Sequence, residues 1–140
     1  WSGEPYVTCI VARVDTSART LTCTNAGHPA GIVLRDSAAQ LLQAGGPPAG
    51  LIPDVRYVED ALELQSGDRC LFVTDGVTEA LDEGTARPIS VVASTAGGRF
   101  PTVRARCDAI RNRSMRGEGP SGVEEWSDDR TVVAIMVGSP

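Results

Sequence analysis

The chain has 140 residues, enough for one domain or most of one, and too few for two. Apolar residues make up 41% and charged residues 22%, the balance of an ordinary globular protein, and no apolar run nears the roughly 20 residues that a membrane helix needs. The formal net charge is −5, from 13 basic residues (all of them arginine) against 18 acidic ones, which argues against a nucleic-acid partner, whose mark is a clustered basic surface.

Residues 1–5 lack the basic-then-apolar pattern of a signal peptide, and a strand-like run opens at Tyr6 with no initiator Met before it. The start therefore reads as a cut. Residues 6–14, YVTCIVARV, are apolar and β-branched and predict a buried strand. After the turn signal at 15–19, residues 20–25 alternate Thr with Leu or Cys, the period of a half-buried strand, and the two segments pair as a hairpin. Ala26-Gly27-His28-Pro29 interrupts the pattern before a short strand at 31–35 and another around 40–43.

Residues 45–50, GGPPAG, combine proline restriction with glycine freedom and predict a shaped loop, neither helix nor central strand. A strand at 57–64 and a turn at 66–68 lead to CLFVT at 70–74, the clearest buried strand in the chain. Residues 77–83 read as a short helix stopped by Gly84. Residues 85–99 are weakly periodic and are expected to be loop with one short helix at most. Val103, Cys107, Ile110 and Ser114 then mark one face of a helix over 102–116, with Arg104, Arg106, Arg111 and Arg113 off that face. TVVAIMV at 131–137 predicts a last buried strand.

This order, mostly strands on short connections with one substantial late helix, points to an α+β layered domain with antiparallel sheets. The cysteines at 9, 23, 70 and 107 form no C-x-x-C pair and mostly fall in apolar runs, which suggests reduced core residues of a cytoplasmic protein.

Two acidic sites stand out by position. Asp75 follows the strand at 70–74, and Asp128 and Asp129 precede the strand at 131–137. If those strands are antiparallel neighbours, the carboxylates share one sheet edge, where hard oxygen ligands suit Mg²⁺ or Mn²⁺. Two blander readings stand beside this one. Asp75 could cap the helix near Val77, and Asp128-Asp129 could be a solvated turn. His28, the lone histidine, reads as a turn residue.

Several segments in this order resemble one family: Tyr6-Val7-Thr8-Cys9, Asn25-Ala26-Gly27-His28-Pro29, Gly46-Pro47-Pro48-Ala49-Gly50, Gly67-Asp68, Thr74-Asp75-Gly76-Val77-Thr78-Glu79 and Asp128-Asp129-Arg130-Thr131. Together they look like the SpoIIE-like branch of the bacterial PPM-type, metal-dependent serine/threonine protein phosphatases, over nearly the whole chain. The resemblance implies two packed antiparallel β-sheets flanked by helices, an αββα sandwich, with two Mn²⁺ or Mg²⁺ ions at one end. By the same resemblance Asp75 and Asp128 are metal ligands, Gly76, Asp129 and Thr131 support them, and the motif containing His28 is architectural.

The implied reaction is hydrolysis of phosphoserine or phosphothreonine by a metal-activated water, without a covalent phosphoenzyme. The implied partner is a phosphoprotein, in this branch often an anti-anti-sigma factor. The family's earlier aspartates have no counterpart before Tyr6. The expectation is therefore an N-terminally truncated domain over 1–140, inactive by itself and with open strand edges prone to dimerise or swap strands. The alternative reading is a non-catalytic module that keeps the fold and binds a regulatory partner.

Overall fold

The computed structural model describes residues 5–81, 88–116 and 129–138. Strands β1 (Cys9–Asp15) and β2 (Thr20–Ala26) form the expected antiparallel hairpin, in register from Cys9 opposite Ala26 to Asp15 opposite Thr20. Strands β3 (Gly31–Arg35) and β4 (Ala38–Leu42) make a second hairpin. The two-residue β5 (Gly45–Gly46) runs parallel to the end of β2, and β6 (Asp60–Glu63) pairs antiparallel to its beginning. A Cβ on Gly45 would stand 1.7 Å from the Asn25 carbonyl oxygen, so only glycine lets the two backbones approach there.

Strand β7 (Arg69–Val73) pairs with β3 on one side and with β8 (Val132–Met136) on the other. The result is a sheet of β1, β2, β5 and β6 facing a sheet ordered β4-β3-β7-β8. Between the sheets lie Leu21, Cys23, Val33, Leu42, Leu64 and Cys70. On the far side of the second sheet, Ile32, Leu34, Leu71 and Val73 pack with Val77, Leu81, Val92, Ala96 and Ile110 from the helical layer. That layer consists of α1 (Asp75–Glu79), α2 (Pro88–Gly97) and α3 (Val103–Arg116).

Strands β3 and β7 are thus buried on both faces, which is why their sequences are apolar runs and not alternations. The outer strands behave differently from the reading of their sequences. Both β1 and β8 were expected to be buried, but each has a single strand partner. Ile10 and Val14 turn inward from β1, while Val11 is 60% exposed; Ile135 turns inward from β8, while Val133 and Met136 are exposed.

Three other expectations are corrected. The helix placed at 77–83 begins at Asp75, and Gly84 lies outside the described residues. Much of 85–99, expected to be loop with room for one short helix, is the ten-residue α2, anchored by fully buried Val92 and Ala96. Arg106, placed on the solvent face of α3, is buried; its guanidinium donates to the carbonyls of Ala96 and, at 3.2 Å, Gly98, and stacks 4.9 Å from the Phe100 ring centre. Those carbonyls close the end of α2, where a cation is favoured by the helix dipole.

No helix among the described residues is long and apolar enough to cross a membrane. The cysteines are free thiols, with Cys23 and Cys70 buried between the sheets and Cys9 and Cys107 half-buried. Burial pushes the Cys70 thiol up to about 11.

Asp68, only 1% exposed, knots the turn before β7. Arg35 grips it in bidentate fashion, Nε donating to Oδ1 at 2.9 Å and Nη2 to Oδ2 at 2.7 Å, and the Gln65 N–H donates to Oδ2 at 2.8 Å. The Arg35 guanidinium, followed by the Gln65 N–H, holds the Asp68 carboxyl below the usual carboxylate range against the opposing cost of burial. A depressed folded-state pKa stabilises above the unfolded value and is lost as pH falls through the folded one. Asp68→Asn should therefore lower the unfolding free energy at pH 7 by on the order of 2 kcal/mol, a modest figure because the Arg35 side chain is 34% exposed and screened. Urea melts across a pH series test this. The gap between variant and wild type should narrow below about pH 4, and a gap independent of pH would refute the assignment.

Candidate metal centre

The pairing of β7 with β8 brings the C-terminal end of one strand beside the N-terminal start of the other, the last pair being Val73 opposite Val132. This is the antiparallel neighbourhood that the strand-end aspartates require. Beyond Val73 the ladder is continued by one side chain. The Thr74 N–H donates to the Thr131 carbonyl at 3.1 Å, and the Thr131 N–H donates to Thr74 Oγ1 at 2.9 Å. The same hydroxyl donates to the Asp129 carbonyl at 2.9 Å. Thr74 therefore clasps the segment 129–131 against the start of α1.

Asp75 is the first residue of α1 and is exposed. Its Oδ1 accepts the Gly76 N–H at 3.0 Å, while its backbone carbonyl accepts the Thr78 hydroxyl at 3.0 Å. Thr74, not Asp75, holds the N-cap position, and its side chain makes no capping hydrogen bond. The alternative role of Asp75 as a cap is thus not the one adopted. Gly76 is buried beneath the turn, and Asp129 and Thr131 are exposed at the start of β8. Asp128 lies outside the described residues.

The two aspartates flanking β7 have opposite circumstances. Asp68 is consumed by Arg35, whereas no cation among the described residues forms a salt bridge with Asp75. An exposed carboxylate with spare lone pairs at a strand end fits a hard divalent cation in donor chemistry. It does not suffice in number: among the described residues no group of three or more His, Cys, Asp or Glu side chains gathers as a metal cluster.

His28 takes an architectural place. Its N–H donates to Asn25 Oδ1 at 2.7 Å, its carbonyl accepts Asn25 Nδ2 at 2.8 Å, and Nδ1 lies 3.5 Å from the Thr8 hydroxyl. Gly27 turns at φ 70° with Pro48 packed so closely that a Cβ would meet its ring carbon at 2.6 Å. The Asn-Ala-Gly-His-Pro turn and the Gly-Pro-Pro loop are therefore one interlocked unit.

Sequence reasoning missed Thr74 as the clasp and placed Asp68 only in the turn at 66–68 and in a segment of the family resemblance. A hydroxyl residue ending a buried strand immediately before an Asp-Gly pair was the available signal for Thr74.

Comparison with known proteins places these features. Residues 2–138 match the family model "Stage II sporulation protein E (SpoIIE)". Protein IcfG of Synechocystis is 32% identical over 76 residues, which cover 54% of this chain and 12% of that protein. The manganese-presoaked phosphatase domain of the cell fate determinant SpoIIE from Bacillus subtilis aligns with a TM-score of 0.74 at 17% identity, covering 95% of this chain and 57% of that one. The RsbU and RsbW domains of a Mycobacterium tuberculosis protein align with a TM-score of 0.76 at 22% identity, covering 95% of this chain and 36% of that one. At such identities the structural matches establish the fold, and this chain spans well under two thirds of each relative.

The clasp carries a direct test. Thr74→Val keeps shape but removes both hydrogen bonds of the hydroxyl, so it should cost about 1 kcal/mol in urea unfolding, the exposed partners turning to water, while Thr74→Ser should stay within about 0.5 kcal/mol of wild type. Equal losses in both variants would show that the methyl group, not the hydroxyl, holds the edge.

Proposed function

Because the chain belongs to the stage II sporulation protein E (SpoIIE) family, whose fold it shares with PPM-type phosphatases, we propose that it supplies part of a metal-dependent site that hydrolyses phosphoserine or phosphothreonine in a regulatory protein. The observation that carries this reading is the open Asp75 carboxylate, set by the Thr74 clasp beside the segment that follows Asp128. Asp75 and Asp128 are the ligands in this proposal, and Gly76, Asp129 and Thr131 support them. Bound Mn²⁺ or Mg²⁺ would supply a water of lowered pKa and charge stabilisation at the phosphoryl oxygens.

The chain's own contribution is placement. The buried Gly76 turn aims the Asp75 carboxylate outward, and the Thr131 and Asp129 backbone cannot drift from it without breaking the bonds to Thr74 Oγ1. Asn25, His28 and the proline loop hold the first sheet and take no part in proton transfer. The substrate class proposed is a phosphoprotein such as an anti-anti-sigma factor.

A second reading, a non-catalytic module that binds a regulatory partner, is favoured by the small number of carboxylates gathered among the described residues. Two ions need several carboxylates to offset their charge, so residues 1–140 alone with Mn²⁺ should release phosphate near background. A longer chain that brings further aspartates should turn over both a phosphoserine protein and a small aryl phosphate. In that chain Asp75→Asn or Asp128→Asn should lower kcat/KM by about 100-fold or more. Robust turnover by residues 1–140 would overturn the proposed ligand set, and a longer chain that binds partners without hydrolysis would establish the binding module.

A further inference from the structure

Two apolar side chains on the inner faces of the sandwich stand in solvent. Val133 shares the inward face of β8 with Ile135 and Val137, yet it is 48% exposed. Ala12, between the inward-turned Ile10 and Val14 of β1, is exposed as well. A Cβ on Gly31, at the start of β3, would stand 3.4 Å from Ile10 Cδ1 and 2.8 Å from the Phe72 ring, so β1 reaches over β3 and β7 and leaves β8 bare. At the end of β1 the gap deepens into a cavity of about 260 Å³ walled by Val14, Leu64, Ile135 and Val137. Residues 131–137, which floor the gap, carry no charge.

The edge of β1 that borders this gap has its backbone groups free. In β2 and the residue before it, the Asn25 N–H and the Arg19 carbonyl turn away from β1, to Ala44 and Leu64. By the alternation of antiparallel strands, Thr20, Thr22, Thr24 and Ala26 therefore bond to Asp15, Arg13, Val11 and Cys9. The N–H and carbonyl groups of Ile10, Ala12 and Val14 point the other way, with no strand to receive them among the described residues. Arg13 stands beside that edge, exposed and without a salt bridge among the described residues. Against an added strand it would hold a non-hydrogen-bonded position, where cross-strand side chains come closest.

We propose that the gap between the free edge of β1 and the bare inner face of β8 docks one extended strand of a partner protein, apolar at the alternate positions facing β8 and acidic opposite Arg13. Main-chain bonds to Ile10, Ala12 and Val14 hold the segment, the cavity beside Val14 takes one of its side chains, and Arg13 selects its charge. A second copy of this chain fits less well, since its β1 would arrive with a second sheet that must enter the same gap. The inference depends on neither reading of the Asp75 edge.

The probe is a synthetic peptide as long as the seven-residue β1, alternating valine with threonine and carrying one glutamate between valines. Amide hydrogen exchange of the 140-residue chain, followed by NMR, reads its binding. The peptide should slow exchange at Ile10, Ala12 and Val14 by at least about tenfold and leave Val11 and Arg13, already bonded to β2, unchanged. Ala12→Pro removes an outward N–H and spares the ladder with β2, so affinity should fall about tenfold or more while Val11 and Arg13 stay protected. Val133→Lys, at an exposed position, should fold like wild type and weaken the peptide by a similar factor. Arg13→Glu should lose about fivefold and regain it with a peptide carrying lysine in place of its glutamate.

The proposal is overturned if Ile10, Ala12 and Val14 gain no protection, or if Val133→Lys and Arg13→Glu both bind like wild type. Protection of the same amides without peptide, rising with protein concentration, would give the gap to a second copy. The same protection at every concentration in a longer chain would give it to that chain's own segment. Either result overturns docking of a partner.

Discussion

The structure hangs on the demand that β7 be apolar on both faces. Cys70 faces the opposite sheet, Leu71 and Val73 face the helices, and both neighbouring strands register against it. A strand so enclosed can carry no charge in its middle, so its one charged residue, Arg69, stands at its first position and the aspartates lie just beyond its ends. There the two flanking aspartates meet different surroundings. Asp68 enters a closed knot of hydrogen bonds with Arg35 and Gln65, and Asp75 emerges into solvent on the first turn of α1. One aspartate secures the strand and the other stays open to solvent.

The sequence made this division only half legible. Both aspartates adjoin a glycine and a strand end, and nothing local tells a buried carboxylate from an open one. The difference comes from Arg35, 33 residues away and brought near only by the pairing of β3 with β7. The strand order itself was readable, because two-sided burial leaves continuous apolar runs in β3 and β7, and one-sided burial leaves the Thr-Leu-Thr-Cys alternation in β2. Apolar composition could not reveal that β1 and β8 are outer strands, since exposure there depends on a neighbour and not on the residues.

The helices show the complementary limit. Helix α2 has only two strong helix formers, Ala93 and Ala96, among Pro, Ile, Ser, Val, Thr and Gly, and it forms because Val92 and Ala96 fill space over the second sheet. Arg106 looked like one of several solvated arginines because its sequence neighbours are polar. Only the end of α2 lying across α3 makes a buried guanidinium tolerable there. The Thr74 clasp was similarly hidden: the motif marks the residue, but its partners come from 55 and 57 positions further along the chain.

The thiol of Cys70, sealed between the sheets, has a chemical corollary. With its pKa near 11, about one molecule in ten thousand carries the thiolate at neutral pH, and oxidants and electrophiles attack the thiolate. Cys23, raised by the same burial, shares this protection. Burial thus guards the two thiols at the centre of the sandwich from such agents, while the sulfurs of Met115 and Met136 stand exposed outside it.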